Sequence, residues 1–112
     1  MEIPSPLSPE AHIVLVRFGS LGDVVKCTAL PRLIKKAYPS SRLTFVTSAA
    51  YLDLIRDNPY IDRPLPLAKG AGIGDLVRMA EELRAEGVDL LVDVHRSLRS
   101  RALCWLLRAP TA

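Results

Sequence analysis

The stretch HIVLVRFGSLGDVV, His12 to Val25, is the most informative part of the sequence about the fold. Its first half, up to Arg17, is a short apolar run without helical spacing, which predicts a buried strand. Gly19 and Gly22 then allow the backbone to turn tightly, and Asp23 follows where a helix begins. A strand, a glycine loop and a helix in this order are typical of α/β proteins.

The same order of elements repeats along the chain. Arg42–Thr47, the segment around Pro64 and Pro66, and Val88–His95 predict three further strands, separated by helical patterns. The two prolines restrict the third strand to an edge of the sheet or to an irregular extended segment. We therefore predict an α/β fold, a Rossmann-like parallel sheet with right-handed crossovers and helices on both faces.

Apolar residues three and four positions apart define the buried faces of two helices. These faces are formed by Leu30, Leu33, Ile34 and Ala37 and by Leu76, Val77, Ala80 and Leu83. Pro31 should kink or divide the first helix, and Gly87 should end the second. The last helix, from about Ser97, is apolar around most of its circumference, so we expect it to be buried, with Trp105 in the core.

The composition is that of an ordinary globular domain of 112 residues. Residues 1–10 are proline-rich, which predicts a disordered leader, and they lack the basic start and apolar core of a secretory signal. The longest charge-free run, Leu43 to Leu52, is half of what a membrane-spanning helix needs. Two isolated cysteines favour a reducing cytoplasm and a packing role, with no metal site.

The charges are unevenly distributed although the net charge is only +3. From Ala11 to Leu52 there are six basic residues and a single acid, Asp23, and from Val94 onward four arginines and no acid. Two basic ends favour an anionic partner such as a phosphate group, although solvated helix faces would give the same pattern. Few aromatic residues and no zinc-ligand spacing argue against a nucleic-acid partner.

Two distant loops should meet at one edge of the predicted sheet. Ligands of open α/β sheets bind outside the carboxyl ends of the strands. One loop, after the first strand, contains Gly19, Ser20, Gly22 and Asp23, and the other, after the fourth strand, contains Asp93, His95 and Arg96. The spacing G-x-x-G-D matches neither a dinucleotide fingerprint nor a phosphate loop. From position alone, a helix cap explains Asp23 better than a chemical role does.

The residues from His12 onward resemble the bacterial glycosyltransferases of family 9, the heptosyltransferases of the lipopolysaccharide core. The family has a Ser-Ser-x-Gly-Asp-Val-like loop, and Gly19 to Val24 is similar, with Gly19 replacing the first serine. Leu30-Pro31 resembles the Leu-Pro in the helix that follows. Asn58 to Asp62 is similar to the family's Asn-Pro-x-Ile-Asp segment.

A second group of family motifs lies near the end of the chain. Asp93 and Arg99-Ser100 match the family's Asp-x-Gln-Gly-x-x-(Lys/Arg)-Ser segment. His95 stands where the family has Gln, and Arg96 stands where it has Gly. The resemblance thus runs from about residue 12 to the end of the sequence.

The resemblance implies an inverting transferase that moves a sugar from a nucleotide-diphosphate donor such as ADP-heptose, without a metal. In that reading Asp23 is the general base, and Ser20 hydrogen-bonds a phosphate or is only a turn residue. Asp93 orients the acceptor or only caps the final helix. His95 has a binding role or only packs, and Arg96 and Arg99 bind acidic groups of the acceptor.

The resemblance also implies a domain organisation. Residues 11–112 would be part of the N-terminal, acceptor-side Rossmann-like domain of a GT-B enzyme, and the C-terminal donor-binding domain would be absent. We therefore expect an inactive fragment whose uncovered apolar surface promotes self-association. The expected location is the cytoplasm, peripheral at the inner membrane that carries the lipopolysaccharide acceptor. Two alternatives remain, a nucleotide- or phosphate-binding module without catalysis and a non-catalytic remnant.

Overall fold

The computed structural model of the chain describes residues 10–17, 29–68, 72–93 and 98–107. A three-residue 3-10 turn, Ala49–Tyr51, follows the second strand. The other elements, in chain order, are β1 (His12–Val16), α1 (Leu30–Ala37), β2 (Arg42–Ser48), α2 (Leu52–Ile55), β3 (Arg63–Leu67), α3 (Ile73–Glu86), β4 (Leu90–Asp93) and α4 (Leu98–Leu107). The predicted leader, residues 1–10, lies outside the described residues except for Glu10.

The four strands form one sheet in the order β3-β2-β1-β4, and every pair is parallel. His12 is opposite Arg42 of β2, and Ile13 is opposite Leu90 of β4. The chain therefore adds β2 and β3 on one side of β1 and then crosses to add β4 on the other side. This confirms the predicted Rossmann-like parallel α/β fold.

Each face of the sheet carries its own apolar core, because successive side chains of a strand point to opposite faces. Val14 and Val16 face α3 and α4, whereas Ile13 and Leu15 face α1 and α2. All five residues of β1 are buried, as predicted for a strand that helices cover on both sides.

Strand β3 is an edge strand, in agreement with its two prolines. Pro64 is opposite Phe45 and Pro66 is opposite Thr47. The prolines are two positions apart, so both missing N–H groups fall on the same side of the strand, which must be the open side. Arg63 pairs with Glu82 and Glu86 of α3 and fastens this edge to the helix above it.

Helix α1 begins at Leu30, so Pro31 lies in its first turn, where a missing N–H costs nothing. The predicted buried face was partly wrong. Pro31 and Ile34 are buried, whereas Leu33 is 58% exposed and Ala37 is exposed. The proline takes part in packing, and this rotates the buried stripe away from Leu33.

Helix α3 buries Leu76, Met79, Ala80 and Leu83, so the predicted face is confirmed except that Met79 replaces Val77, which is only half-buried. The helix ends at Gly87, whose φ of +79° lies in the left-handed region that glycine tolerates.

The core assignment of Trp105 was wrong, because this side chain is 72% exposed. Helix α4 buries Leu103 and Leu107, which are four positions apart on one face. Trp105 lies midway between them in sequence and therefore points to the opposite side of the helix.

Buried His12, at the amino end of β1, connects this strand by hydrogen bonds to β2 and to the residues between α3 and β4. His12 is 4% exposed, and its Nδ1 donates to the Gly87 carbonyl at 2.7 Å. The Gly87 carbonyl can only accept and lies closer to Nδ1 than the Arg42 guanidinium at 3.1 Å, which places the proton on Nδ1, so Nε2 accepts from the Thr44 hydroxyl at 2.8 Å. The backbone N–H of His12 also donates to the Asp89 carboxylate at 2.8 Å.

Burial is the main cause that lowers the pKa of His12 below its usual 6.5. The Arg42 guanidinium lowers this pKa further, whereas the Gly87 carbonyl and the carboxylates of Glu86 and Asp89 raise it. The net shift of the pKa is downward. His12 is therefore neutral in the folded state at neutral pH.

We predict that acidification destabilises the chain through His12. The folded state binds fewer protons at this site than the unfolded state below pH 6.5, so stability is lost as the pH falls from 6.5 toward the lower folded pKa. Melting temperatures measured between about pH 8 and about pH 5.5 should decline, and His12→Gln should flatten that decline. His95→Gln, at the other histidine, is the control, and a flattening by that variant alone would contradict the assignment.

Candidate functional site

The carboxyl ends of β1 and β4 lie side by side. Val16 is opposite Asp93 in the sheet, and β1 leads into residues 18–28 while β4 leads into residues 94–97. The helices change faces at this point, because α1 and α2 cover one side and α3 and α4 cover the other. Such a switch point is where open α/β sheets bind ligands.

The predicted site residues are associated with these two strand ends. Asp93 is the last residue of β4, and Arg99 is the second residue of α4. The remaining candidates, Gly19, Ser20, Gly22, Asp23, His95 and Arg96, lie outside the described residues. The structure thus brings together the strand ends from which the two predicted loops depart, and the roles of the individual side chains stay predictions.

Arg17 fixes a positive charge at the same edge. Its backbone N–H donates to the Val46 carbonyl at 2.9 Å, which extends the pairing of β1 with β2 by one residue. The side chain is half-buried, and its Nε is fully buried. A guanidinium at this position favours anions near the start of the glycine loop.

Thr47 is a polar residue at this end of the sheet that sequence reasoning missed. It is fully buried near the carboxyl end of β2, and its hydroxyl has no hydrogen-bond partner in the described structure. The sequence signal was weak, because threonine is common in strands and RLTFVTS contains two of them.

The segment Asn58 to Asp62, which resembles a family motif, lies at the opposite edge of the sheet, where β3 begins. Asn58 accepts from the Tyr60 backbone N–H at 2.9 Å and shapes the turn. Asp62 accepts from Lys35 at 2.5 Å and from the Leu43 backbone N–H at 2.8 Å. Burial raises the pKa of Asp62, but the two hydrogen bonds and the positive charges of Lys35 and Arg42 together outweigh it and leave the pKa below its usual value. In this chain the motif therefore serves folding.

An open groove of about 470 Å³ lies between α1 and the end of α2. It contains the exposed cation Arg32 and the exposed carboxylate Asp57, together with the half-buried Asn58 and the exposed ring of Tyr60. The start of α1 borders this groove. The groove therefore adjoins a part of the chain that follows the glycine loop in sequence.

No three His, Cys, Asp or Glu side chains among the described residues are placed to hold a metal ion. None of the described helices is long and apolar enough to cross a membrane.

The fold has relatives among solved glycosyltransferases, although no family model and no curated protein matches the chain. A family 9 glycosyl transferase from Veillonella parvula is 30% identical, with a TM-score of 0.86 over 94% of this chain. E. coli ADP-heptose lipopolysaccharide heptosyltransferase II matches 89% of this chain at 19% identity with a TM-score of 0.74. An E. coli heptosyltransferase solved with ADP also matches 89%, at 22% identity with a TM-score of 0.66.

These similarities confirm the resemblance to glycosyltransferase family 9. The two E. coli proteins, below 25% identity, support the fold alone, whereas the 30% identical structure supports the family. The chain spans about a third of these structures, 32%, 29% and 34% of their respective lengths.

Two buried threonines of β2, Thr44 and Thr47, provide a matched test of which hydroxyl is hydrogen-bonded. We predict that Thr47→Val leaves the free energy of unfolding unchanged or raises it by about 1 kcal/mol, because it removes a buried hydroxyl without a partner. Thr44→Val should lower it by about 1–3 kcal/mol, because Nε2 of His12 then loses its donor. Urea unfolding of both variants is the measurement, and equal effects would show that the Thr47 hydroxyl is in fact paired.

Proposed function

We propose that this chain is the N-terminal, acceptor-side part of a family 9 glycosyltransferase. The enzyme would transfer a sugar from a nucleotide-diphosphate donor to a lipopolysaccharide core acceptor with inversion. The observation that carries this proposal is the 30% identical family 9 structure that overlays 94% of the chain. The loop with the family-like sequence Gly19 to Val24 departs from the switch point, which is the edge where such a reaction needs it.

The donor that we propose is ADP-heptose. One similar structure is named an ADP-heptose heptosyltransferase, and another was solved with ADP. Arg17 lies at the carboxyl edge of the sheet, where a guanidinium suits a phosphate group of a substrate. We further propose that the enzyme works at the cytoplasmic face of the inner membrane, where a lipopolysaccharide precursor would be presented.

The proposed chemistry needs one carboxylate that acts as a base. Asp23 would accept the proton of the acceptor hydroxyl while the oxygen attacks the anomeric carbon from the side opposite the diphosphate. The bond from this carbon to the diphosphate breaks, and the nucleoside diphosphate leaves with the electron pair. General-base assistance of this kind typically contributes about 10²–10⁴-fold to the rate.

The other candidates would bind and orient the substrates. Ser20 would hydrogen-bond a phosphate, and Asp93 and His95 would orient the acceptor. Arg96 and Arg99 would bind its acidic sugars or phosphates, because guanidinium groups bind such oxygens in a bidentate way.

A second candidate function is a binding module or remnant without catalysis. It is favoured by the charge distribution, since six basic residues and a single acid between Ala11 and Leu52 suit a phosphate group without requiring catalysis. The two functions differ in whether Asp23 must be a base, since a binding module needs only the loop and the helix start.

We predict that the 112-residue chain by itself has no measurable transferase turnover. It should bind a nucleotide-diphosphate sugar more weakly than about 1 mM, or about −4.1 kcal/mol, because the proposed donor half of the site is not in these residues. Isothermal calorimetry with ADP-heptose measures this, with ADP alone as the control. Micromolar binding would mean that this part of the chain holds the donor.

We predict that Asp23 has two separable roles. In the chain itself, Asp23→Ala should lower the free energy of unfolding by about 0.5–2 kcal/mol through loss of the cap, whereas Asp23→Asn should change it little. In an intact two-domain enzyme that carries this loop, both variants should lose about 10²-fold or more of the turnover, since neither side chain can take a proton. Near-native turnover of Asp23→Asn would reduce Asp23 to a cap.

A further inference from the structure

The groove between α1 and the end of α2 contains apolar side chains that the core does not bury. Among the described residues five large apolar side chains are exposed, and two of them, Leu54 and Tyr60, line this one groove at 40% exposure each. The groove volume of about 470 Å³ lies within the range of small-molecule pockets, about 300–1,000 Å³. An apolar surface with a few polar groups around it is the usual composition of a ligand site.

The wall of the groove that follows α2 is held by backbone hydrogen bonds. The N–H of Asn58 donates to the Ile55 carbonyl at 3.1 Å, and the N–H of Ile61 donates to the Asn58 carbonyl at 3.1 Å. The buried side chains of Ile55 and Ile61 anchor the two ends of this turn in the core. Leu54 and Tyr60 adjoin these anchors in sequence, so their positions are set before a ligand binds, which lowers the entropic cost of binding.

Arg32 and Asp57 place opposite charges in the same groove. Both residues are exposed, and neither has an ion-pair partner among the described residues, whereas the neighbouring Arg56 is paired with Asp53. Arg32 lies in the first turn of α1, where the positive end of the helix dipole disfavours a cation. Its charge therefore does not stabilise the helix, and both charged groups are available to a ligand.

Two opposite charges in one groove disfavour a ligand that carries a single charge. A phosphate group would be repelled by Asp57, and an ammonium group would be repelled by Arg32. The hydroxyl groups of a neutral sugar suit both side chains, because a hydroxyl accepts from a guanidinium and donates to a carboxylate. Such hydrogen bonds to ionised groups are stronger than those between neutral groups. The C–H face of a sugar ring is apolar and suits the partly negative face of the Tyr60 ring.

We propose that this groove binds a neutral sugar unit of an oligosaccharide. Tyr60 and Leu54 form the apolar surface on which the sugar ring lies. Arg32 donates to hydroxyl oxygens of the sugar, and Asp57 accepts from its hydroxyl groups. The proposal concerns binding by these described residues and does not depend on the transferase reaction.

The first test is whether neutral sugars bind in the groove. Maltotriose, cellotriose and mannotriose are titrated separately into the 112-residue chain, and backbone amide shifts are recorded by nuclear magnetic resonance. At least one trisaccharide should shift the amides of residues 54–60 and leave those of residues 76–83 in α3 constant. The absence of such a shift with all three sugars overturns the proposal. A larger shift of residues 54–60 with inorganic phosphate or with glycine also overturns it, because the groove would then bind an anion or a zwitterion.

The second test removes the apolar surface under the sugar. Tyr60→Ala should weaken binding of the trisaccharide by at least about tenfold, because the sugar ring loses its aromatic contact. Trp105→Ala, at an exposed aromatic residue of α4, is the control and should leave the affinity unchanged. Equal weakening by the two variants would indicate unspecific contact of the sugar with aromatic residues and would contradict the proposed site.

The third test concerns two exposed cations of α1, so it does not alter the core. Arg32→Ala should weaken sugar binding by about tenfold, because a hydrogen bond to a charged group is lost. Lys36→Ala removes the same charge outside the lining of the groove and should leave the affinity unchanged. Circular dichroism checks that all variants are folded. Unchanged affinity of folded Arg32→Ala overturns the proposal.

Discussion

The whole structure depends on the central position of β1. This strand is paired with β2 on one side and β4 on the other, and helices cover both of its faces. Its five residues therefore have almost no freedom, and their apolar side chains join the two cores. Because β1 is completely buried, polar groups are found only at its two ends. The contacts at the two ends differ.

The amino end of β1 is closed by hydrogen bonds. His12 connects the end of α3 to β2, and the carboxylate of Asp89 holds the first N–H of the strand. Asp62 and Lys35 fasten α1 to β2 and β3 at the same edge. These hydrogen bonds hold the amino end of β1, and the proposed ligand-binding loop follows the opposite end of the strand, after Arg17.

The described hydrogen bonds that hold the elements together lie at the amino ends of the strands, whereas the proposed site lies at their carboxyl ends. In the Asn58–Asp62 segment, Asn58 shapes a turn and Asp62 anchors α1, and the same segment also lines the groove beside α1. Asp23 differs in its place along the chain, since it follows β1, whose carboxyl end lies at the switch point of the sheet. The same residue type therefore serves folding at one edge and is proposed to serve proton transfer at the other.

The sequence by itself determined the order of strands and helices, the parallel sheet and the edge position of β3, since these follow from local periodicity, glycine and proline. It also indicated that the two loops converge, because topology alone places them at one edge. Only the tertiary structure decided which side chains are buried. Periodicity assigned Leu33 to the core, and the apolar character of the last helix assigned Trp105 there. Both are exposed, since the buried stripe of a helix depends on its rotation against the sheet. The buried, unpaired hydroxyl of Thr47 was equally hidden from the sequence, because hydrogen-bond partners are set by distances between separate elements.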